Sequence, residues 1–182
     1  PFVVPGTYQV QLSVGDTTLT ESFEVVNDPR VKTTQKVLEE QIKLQQRMLD
    51  KISEAHKAVN RLREIREQLD GWKKRAATAN EVVAAADAIL GKLAKIEDVL
   101  ILPGDQKDTY SLGQPTRLNA KLAGLLPIVA TADAKPTKQA LELFAIYSQG
   151  IDEQVKELDK VVKNDVKAFN NLLRTARIPA VV

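Results

Sequence analysis

The chain has 182 residues, 43% of them hydrophobic and only 4% aromatic, which suits one domain with an aliphatic core and a piece of a second. Its 26 basic and 24 acidic side chains leave a net charge of +2, too balanced to point to nucleic acid or an anionic membrane. The absence of cysteine excludes disulfides and thiolate metal sites.

The first 28 residues read as a β-hairpin. Tyr8, Val10, Leu12 and Val14 alternate with Gln9, Gln11 and Ser13, the period of a strand with one buried face. Gly15-Asp16 suits a tight turn with positive φ. Leu19, Phe23 and Val25 continue a second strand, with Glu21 expected on its exposed side or at an edge. Two strands alone have marginal stability in water. Their apolar face is therefore expected to lean on a helix or on strands from elsewhere. Asn27-Asp28-Pro29-Arg30 then breaks the strand pattern.

Residues 29–182 read as a helical bundle, with helices at about 34–70, 72–101, 116–132 and 137–176. In the first, Leu38, Ile42, Leu49, Ile52, Val59, Leu62 and Leu69 advance in steps that keep them on one stripe. Thr33 or Thr34 is placed to cap it, and Asp70-Gly71 to stop it. The second helix uses Val83, Ala86, Leu90, Leu93, Ile96 and Leu100, starting either at Trp72 or at Asn80. Residues 103–115 read as a loop. Leu118, Leu122, Leu125, Ile128 and Val129 mark the third helix, where Pro127 should kink the chain or start a new turn. Leu141, Phe144, Ile151, Val155, Leu158, Val162, Phe169 and Leu172 mark the fourth.

The fold class that follows is mainly α: an elongated up-down bundle of three or four helices behind a β-hairpin. Helices one, two and four would form the shaft, with helix three covering part of it. Leu49, Ile52, Val59, Ile151, Val155 and Leu158 should be buried between helices one and four. Gly91 and Gly150 interrupt helical stretches, which a close helix crossing, the docking of another domain or simple tolerance would explain. Glu39 with Lys43 and Asp159 with Lys163 offer spaced surface pairs.

Chemistry is sparse. His56, the single histidine, falls on or beside the apolar seam of helix one, with only carboxylates and amides to share a metal. Glu39 and Glu40, Glu97 and Asp98, and Asp152 and Glu153 are interleaved with lysines, as on a solvated helix face, and imply no cleft that would set two carboxyls across a substrate. Ser53, Ser111 and Ser148 lack a nucleophile elbow. Asp105, Asp108 and Asp87 do not follow the spacing of a calcium loop. The densest basic stretch runs through Arg61, Arg63, Arg66, Lys73, Lys74 and Arg75, but acidic residues interrupt it and Trp72 is its lone aromatic. No catalytic, cofactor-binding or metal-ligating residue is assigned, and no cofactor is expected. No apolar run approaches the ~18 residues of a membrane span.

The run from Pro5 to Asp16, with Phe23-Glu24-Val25, resembles the closing hairpin of bacterial immunoglobulin-like or fibronectin-type sandwich modules. Its continuation, Asn27-Asp28-Pro29-Arg30-Val31, resembles the exit from such a module in secreted bacterial proteins built on a sortilin-like, Asp-box repeat β-propeller, proteins often labelled glycosyl hydrolases. His56-Lys57-Ala58-Val59, Arg117 to Leu122 and Ala132 to Thr137 are similar to steps in the helical tails of those proteins. The resemblance implies a secreted, periplasmic or cell-surface location and a non-catalytic accessory module whose partners are upstream domains of its own parent chain, with another protein or a second copy as the alternatives. It carries over no site residue, because a propeller active site would lie upstream of Pro1, and Pro-Phe-Val-Val is an improbable native start. An independent coiled-coil-like oligomerisation module is the competing reading.

Overall fold

The computed structural model describes residues 3–102 and 115–176. It is mainly helical, with a two-stranded hairpin ahead of the helices. Strands β1 (Gly6–Val14) and β2 (Thr17–Val25) pair antiparallel, Val14 opposite Thr17 and Gly6 opposite Val25. Gly15 closes the two-residue turn at φ +58, a conformation that favours glycine because it has no Cβ. Helices α1 (Gln35–Arg75), α2 (Asn80–Leu100), α3 (Leu118–Ala130) and α4 (Lys138–Lys160) follow. A π-helical turn at Val161–Val166 then leads into α5 (Lys167–Thr175).

Cross-links between helices define the arrangement. Going back along α1, Lys73 pairs with Asp87, Arg63 and Arg66 with Glu97, and Gln41 with the end of α3. Arg117, just before α3, reaches Asp98 near the end of α2. Thus α2 and α3 lie end to end and together run antiparallel to α1. Going forward, Lys51 pairs with Asp152 and Arg61 with Asp159, so α4 runs parallel to α1. The bundle therefore has three positions, and one of them is shared by two helices. This corrects the expectation that α3 would cover a shaft made by the other three.

The core is one aliphatic cluster along this axis, centred on Met48, Leu62, Leu93, Leu100, Leu122, Ile151, Leu158 and Val161. Of the six residues expected between α1 and α4, Val59, Ile151 and Leu158 are buried, whereas Leu49, Ile52 and Val155 are half-buried. A helix with neighbours on two sides buries a broader arc than a single stripe, and that arc draws in Leu44, Met48, Ala55 and Ala58. It also takes in Gln41, whose amide donates to the Val129 and Ala132 carbonyls at 2.5 and 2.6 Å. The Val129 carbonyl is one of those that the end of α3 leaves without a helical partner, whereas that of Ala132 also accepts from the Ala134 amide at 2.8 Å.

Several boundaries differ from the sequence pattern. Helix α1 passes through Asp70-Gly71, because Gly71 does not take the left-handed conformation that ends a helix and Leu69, Trp72 and Ala76 prolong its apolar stripe. Helix α2 begins at Asn80, not at Trp72. Thr34 sits at the N-cap of α1 without a side-chain bond, and Thr33 instead donates its hydroxyl to the Asp133 carbonyl. Thr137 does cap α4, accepting from the Ala140 amide at 3.1 Å. Helix α3 continues across Pro127 without a new start. The expected loop at 103–115 and the final stop at Ile178-Pro179-Ala180 lie outside the described residues, apart from Pro115. Asp159 pairs with Arg61 across helices instead of with Lys163.

The two helical glycines differ. A Cβ on Gly150 would stand 3.1 Å from Leu118 Cδ1, so that glycine does mark a close helix approach. A Cβ on Gly91 would meet nothing within 4 Å. Gly91→Ala is therefore expected to stabilise the fold by about 0.5–1 kcal/mol, from helix propensity alone. Gly150→Ala should show no such gain. Urea melts of the two variants check this.

Among the described residues the hairpin touches the bundle only at its base. Gln35 Nε2 donates to the Pro5 carbonyl at 3.1 Å, and Val3, Val25 and Val26 line a small recess with Leu38 and Ile42. The connecting turn is ordered by Asp28, which accepts from the Arg30 amide at 2.9 Å and from its guanidinium at 2.6 Å. Deleting residues 1–28 is expected to keep the helical circular dichroism and to cost no more than about 1 kcal/mol, since what is lost is one exposed Gln35 bond and the cover over Leu38 and Ile42 at the end of α1. Collapse of the helices on this deletion would make the hairpin integral to the bundle.

Candidate functional site

His56 is exposed on α1. It follows buried Ala55 by one residue, about 100° around the helix, which puts it beside the apolar seam and not on it. Among the described residues no three histidine, aspartate or glutamate side chains converge on a metal position. Nor is any described helix long and apolar enough to cross a membrane. Asp105, Asp108 and Ser111 lie outside the described residues.

The basic stretch on α1 is largely turned inward on the protein's own carboxylates. Arg61 meets Asp159, Arg63 and Arg66 meet Glu97, and Lys73 meets Asp87. The Arg75 guanidinium lies 5.3 Å from the centre of the Trp72 ring. The adjacent carboxylates also separate. Glu97 turns to α1 while Asp98 accepts from Arg117 at 2.6 Å, and Asp152 takes Lys51 while Glu153 accepts from Gln149 at 3.0 Å.

Among the described residues Glu97 is the one acid drawn into the core, its side chain 4% exposed. Its position follows from spacing, because it sits beside Ile96 and four residues after Leu93, on the apolar side of α2. Arg63 Nε donates to one carboxylate oxygen at 2.7 Å and Arg66 Nη2 to the other. Burial alone would raise the Glu97 pKa; the hydrogen bonds and charges of Arg63 and Arg66 outweigh it and hold the carboxyl below its ordinary range. The sequence offers Glu97 only as one of a solvated pair. The clue to its burial is its step from Leu93 and to Leu100.

A shallow groove between α1 and α4 gathers Arg47, Lys51, Glu54, Phe144, Ser148 and Asp152. The Arg47 guanidinium lies 4.8 Å from the centre of the Phe144 ring. Lys51 bridges Glu54 at 2.6 Å and Asp152 at 2.7 Å. Burial works to lower its pKa, but the bonds to Asp152 and Glu54 raise it above the ordinary lysine range. The Ser148 hydroxyl is buried with no hydrogen-bond partner among the described residues. Ser53 donates back to the Leu49 carbonyl at 2.9 Å, an ordinary helical bond.

The hairpin presents the most distinctive surface. The register puts Tyr8 opposite Phe23, Val10 opposite Glu21 and Leu12 opposite Leu19 on one face, with Val14 at its tip. Thr7, Gln9, Gln11, Ser13, Thr18, Thr20, Ser22 and Glu24 form the other face, which is wholly polar. The apolar face is not covered: Val10 is 55%, Leu12 60% and Leu19 63% exposed. Among the described residues no helix of the bundle lies over it, which leaves strands from elsewhere as the other expected cover. Glu21 is exposed and on an edge strand, as expected, and strict alternation puts it on the apolar face, at the midpoint of β2. In comparisons with known proteins, no family model, no curated protein and no solved structure matches the chain.

Proposed function

We propose that this chain is a non-catalytic accessory and interaction module. The helical bundle serves as a rigid body, and the hairpin joins it to a β-rich neighbour within the same parent protein. The observation that carries this reading is the amphipathic hairpin, which exposes a complete apolar face and touches its own bundle only at the base. The commitment of the charged side chains to pairs between helices supports the non-catalytic half of the proposal. Its resemblance to the end of a sandwich module extends the proposal to a secreted or envelope protein with a propeller-type body.

The test is an activity screen on the purified chain. No turnover of glycosides, esters or peptides is expected. Turnover that disappears with Ser148→Ala, His56→Ala or Asp152→Asn would overturn the proposal.

A further inference from the structure

We infer that the apolar face of the hairpin is the docking surface for a β-sheet layer of another module, and that this layer sets a basic side chain opposite Glu21. The inference rests on the accessory-module reading above and names the chemistry of its partner.

The edges point to a sheet. Natural edge strands are blunted by lysine, proline or a bulge that discourages pairing with foreign strands. Neither strand here contains a lysine, an arginine or a proline, and β1 contains no charge at all. The ladder matches nine residues with nine and has no bulge. Glu21 is an inward-pointing charge of the kind that also blunts an edge, so it is the uncharged edge of β1 that suits a strand housed within a larger sheet.

The charge distribution selects among sheets. Glu21 occupies the middle of β2, with Val10 opposite it and Leu19 and Phe23 on either side along the strand. The face holds no cation: its residues are Tyr8, Val10, Leu12, Val14, Thr17, Leu19, Glu21, Phe23 and Val25. A second copy laid face to face by two-fold symmetry would bring two Glu21 carboxylates together near the axis, both losing water and both negative. A sheet that instead carries an arginine or lysine there would form a charge-assisted hydrogen bond across the ~10 Å between layers. The same carboxylate that disfavours self-pairing therefore marks the correct partner.

The full chain supplies its own probe, because a Glu21→Lys copy is an apolar β-face with a cation at the required position. In sedimentation velocity at about 20–500 µM, wild type alone and Glu21→Lys alone should each run as monomers. An equimolar mixture should associate at least about tenfold more tightly than either alone, and added salt should weaken it. Leu12→Asp in either partner should abolish the association. Glu21→Arg provides a second cationic copy, and helical circular dichroism verifies that each variant keeps its bundle. Dimerisation of the wild type alone would make a second copy the occupant, and a mixture no tighter than its components would show that the face selects no cation. Either result overturns the inference. Unfolding of the helices on deletion of residues 1–28 would instead overturn the accessory-module reading, so the two failures are distinguishable.

Discussion

Replacing both Arg63 and Arg66 with alanine is expected to destabilise the bundle by about 2–4 kcal/mol at neutral pH. The effect comes less from the attraction lost than from the carboxylate left behind. Glu97 is almost fully buried and would keep its charge with no donor facing it. The figure sits below that for a fully buried pair because water reaches one side of each guanidinium. The Glu97 pKa is depressed in the folded chain, so the stability it contributes is present above its ordinary value of 4.5 and is lost as the pH falls through the lower folded value. The gap between wild type and the double variant should therefore narrow in acid. Urea melts at pH 7 and pH 3.5 check both statements. A cost under about 1 kcal/mol, or one independent of pH, would mean that Glu97 is better solvated than its burial indicates.

Truncation in the core should cost as much or more. Met48 and Ile151 are fully buried on α1 and α4, and each alanine variant is expected to lose about 2–5 kcal/mol, the transfer free energy of the removed atoms plus that of the cavity left. Ile146, on the same helix as Ile151 but 62% exposed, serves as the control, and its alanine variant should lose less than about 0.5 kcal/mol. Equal losses at Ile146 and Ile151 would show that α4 presents a different face to the core. The half-buried Leu49 should fall between these limits.

Periodicity carries much of this architecture. The helix-period stripes and the alternating hairpin are both present in the structure, because each pattern follows directly from where successive side chains point. What escaped was set by neighbours. Met48 and Gln41 lie off the stripe read from leucine and isoleucine, and become core only because α1 is flanked by two other helix positions. Gly71 looks like a stop until its backbone angles are known. The end-to-end placement of α2 and α3 leaves no local trace, since a break in a helix reads the same whether the chain turns back or carries on. The π-helical turn, where Asp165 reaches Lys92 at 2.8 Å, likewise lacks a sequence signature. The hairpin face was legible as apolar, and alternation from Leu19 to Phe23 already sets Glu21 on it; what the register adds is Val10 as its cross-strand neighbour.

The count of helix positions has a mechanical consequence. With three positions, α1 starting beside the hairpin and α4 with α5 running parallel to it, Gln35 and Thr175 stand at opposite poles. The 41 residues of α1 alone span roughly 60 Å. Tension along the polypeptide would thus act along the long axis and load the helix contacts in shear, all at once, instead of peeling them apart one by one. Joined in series, such a unit adds a stiff spacer of about 6 nm between whatever flanks it.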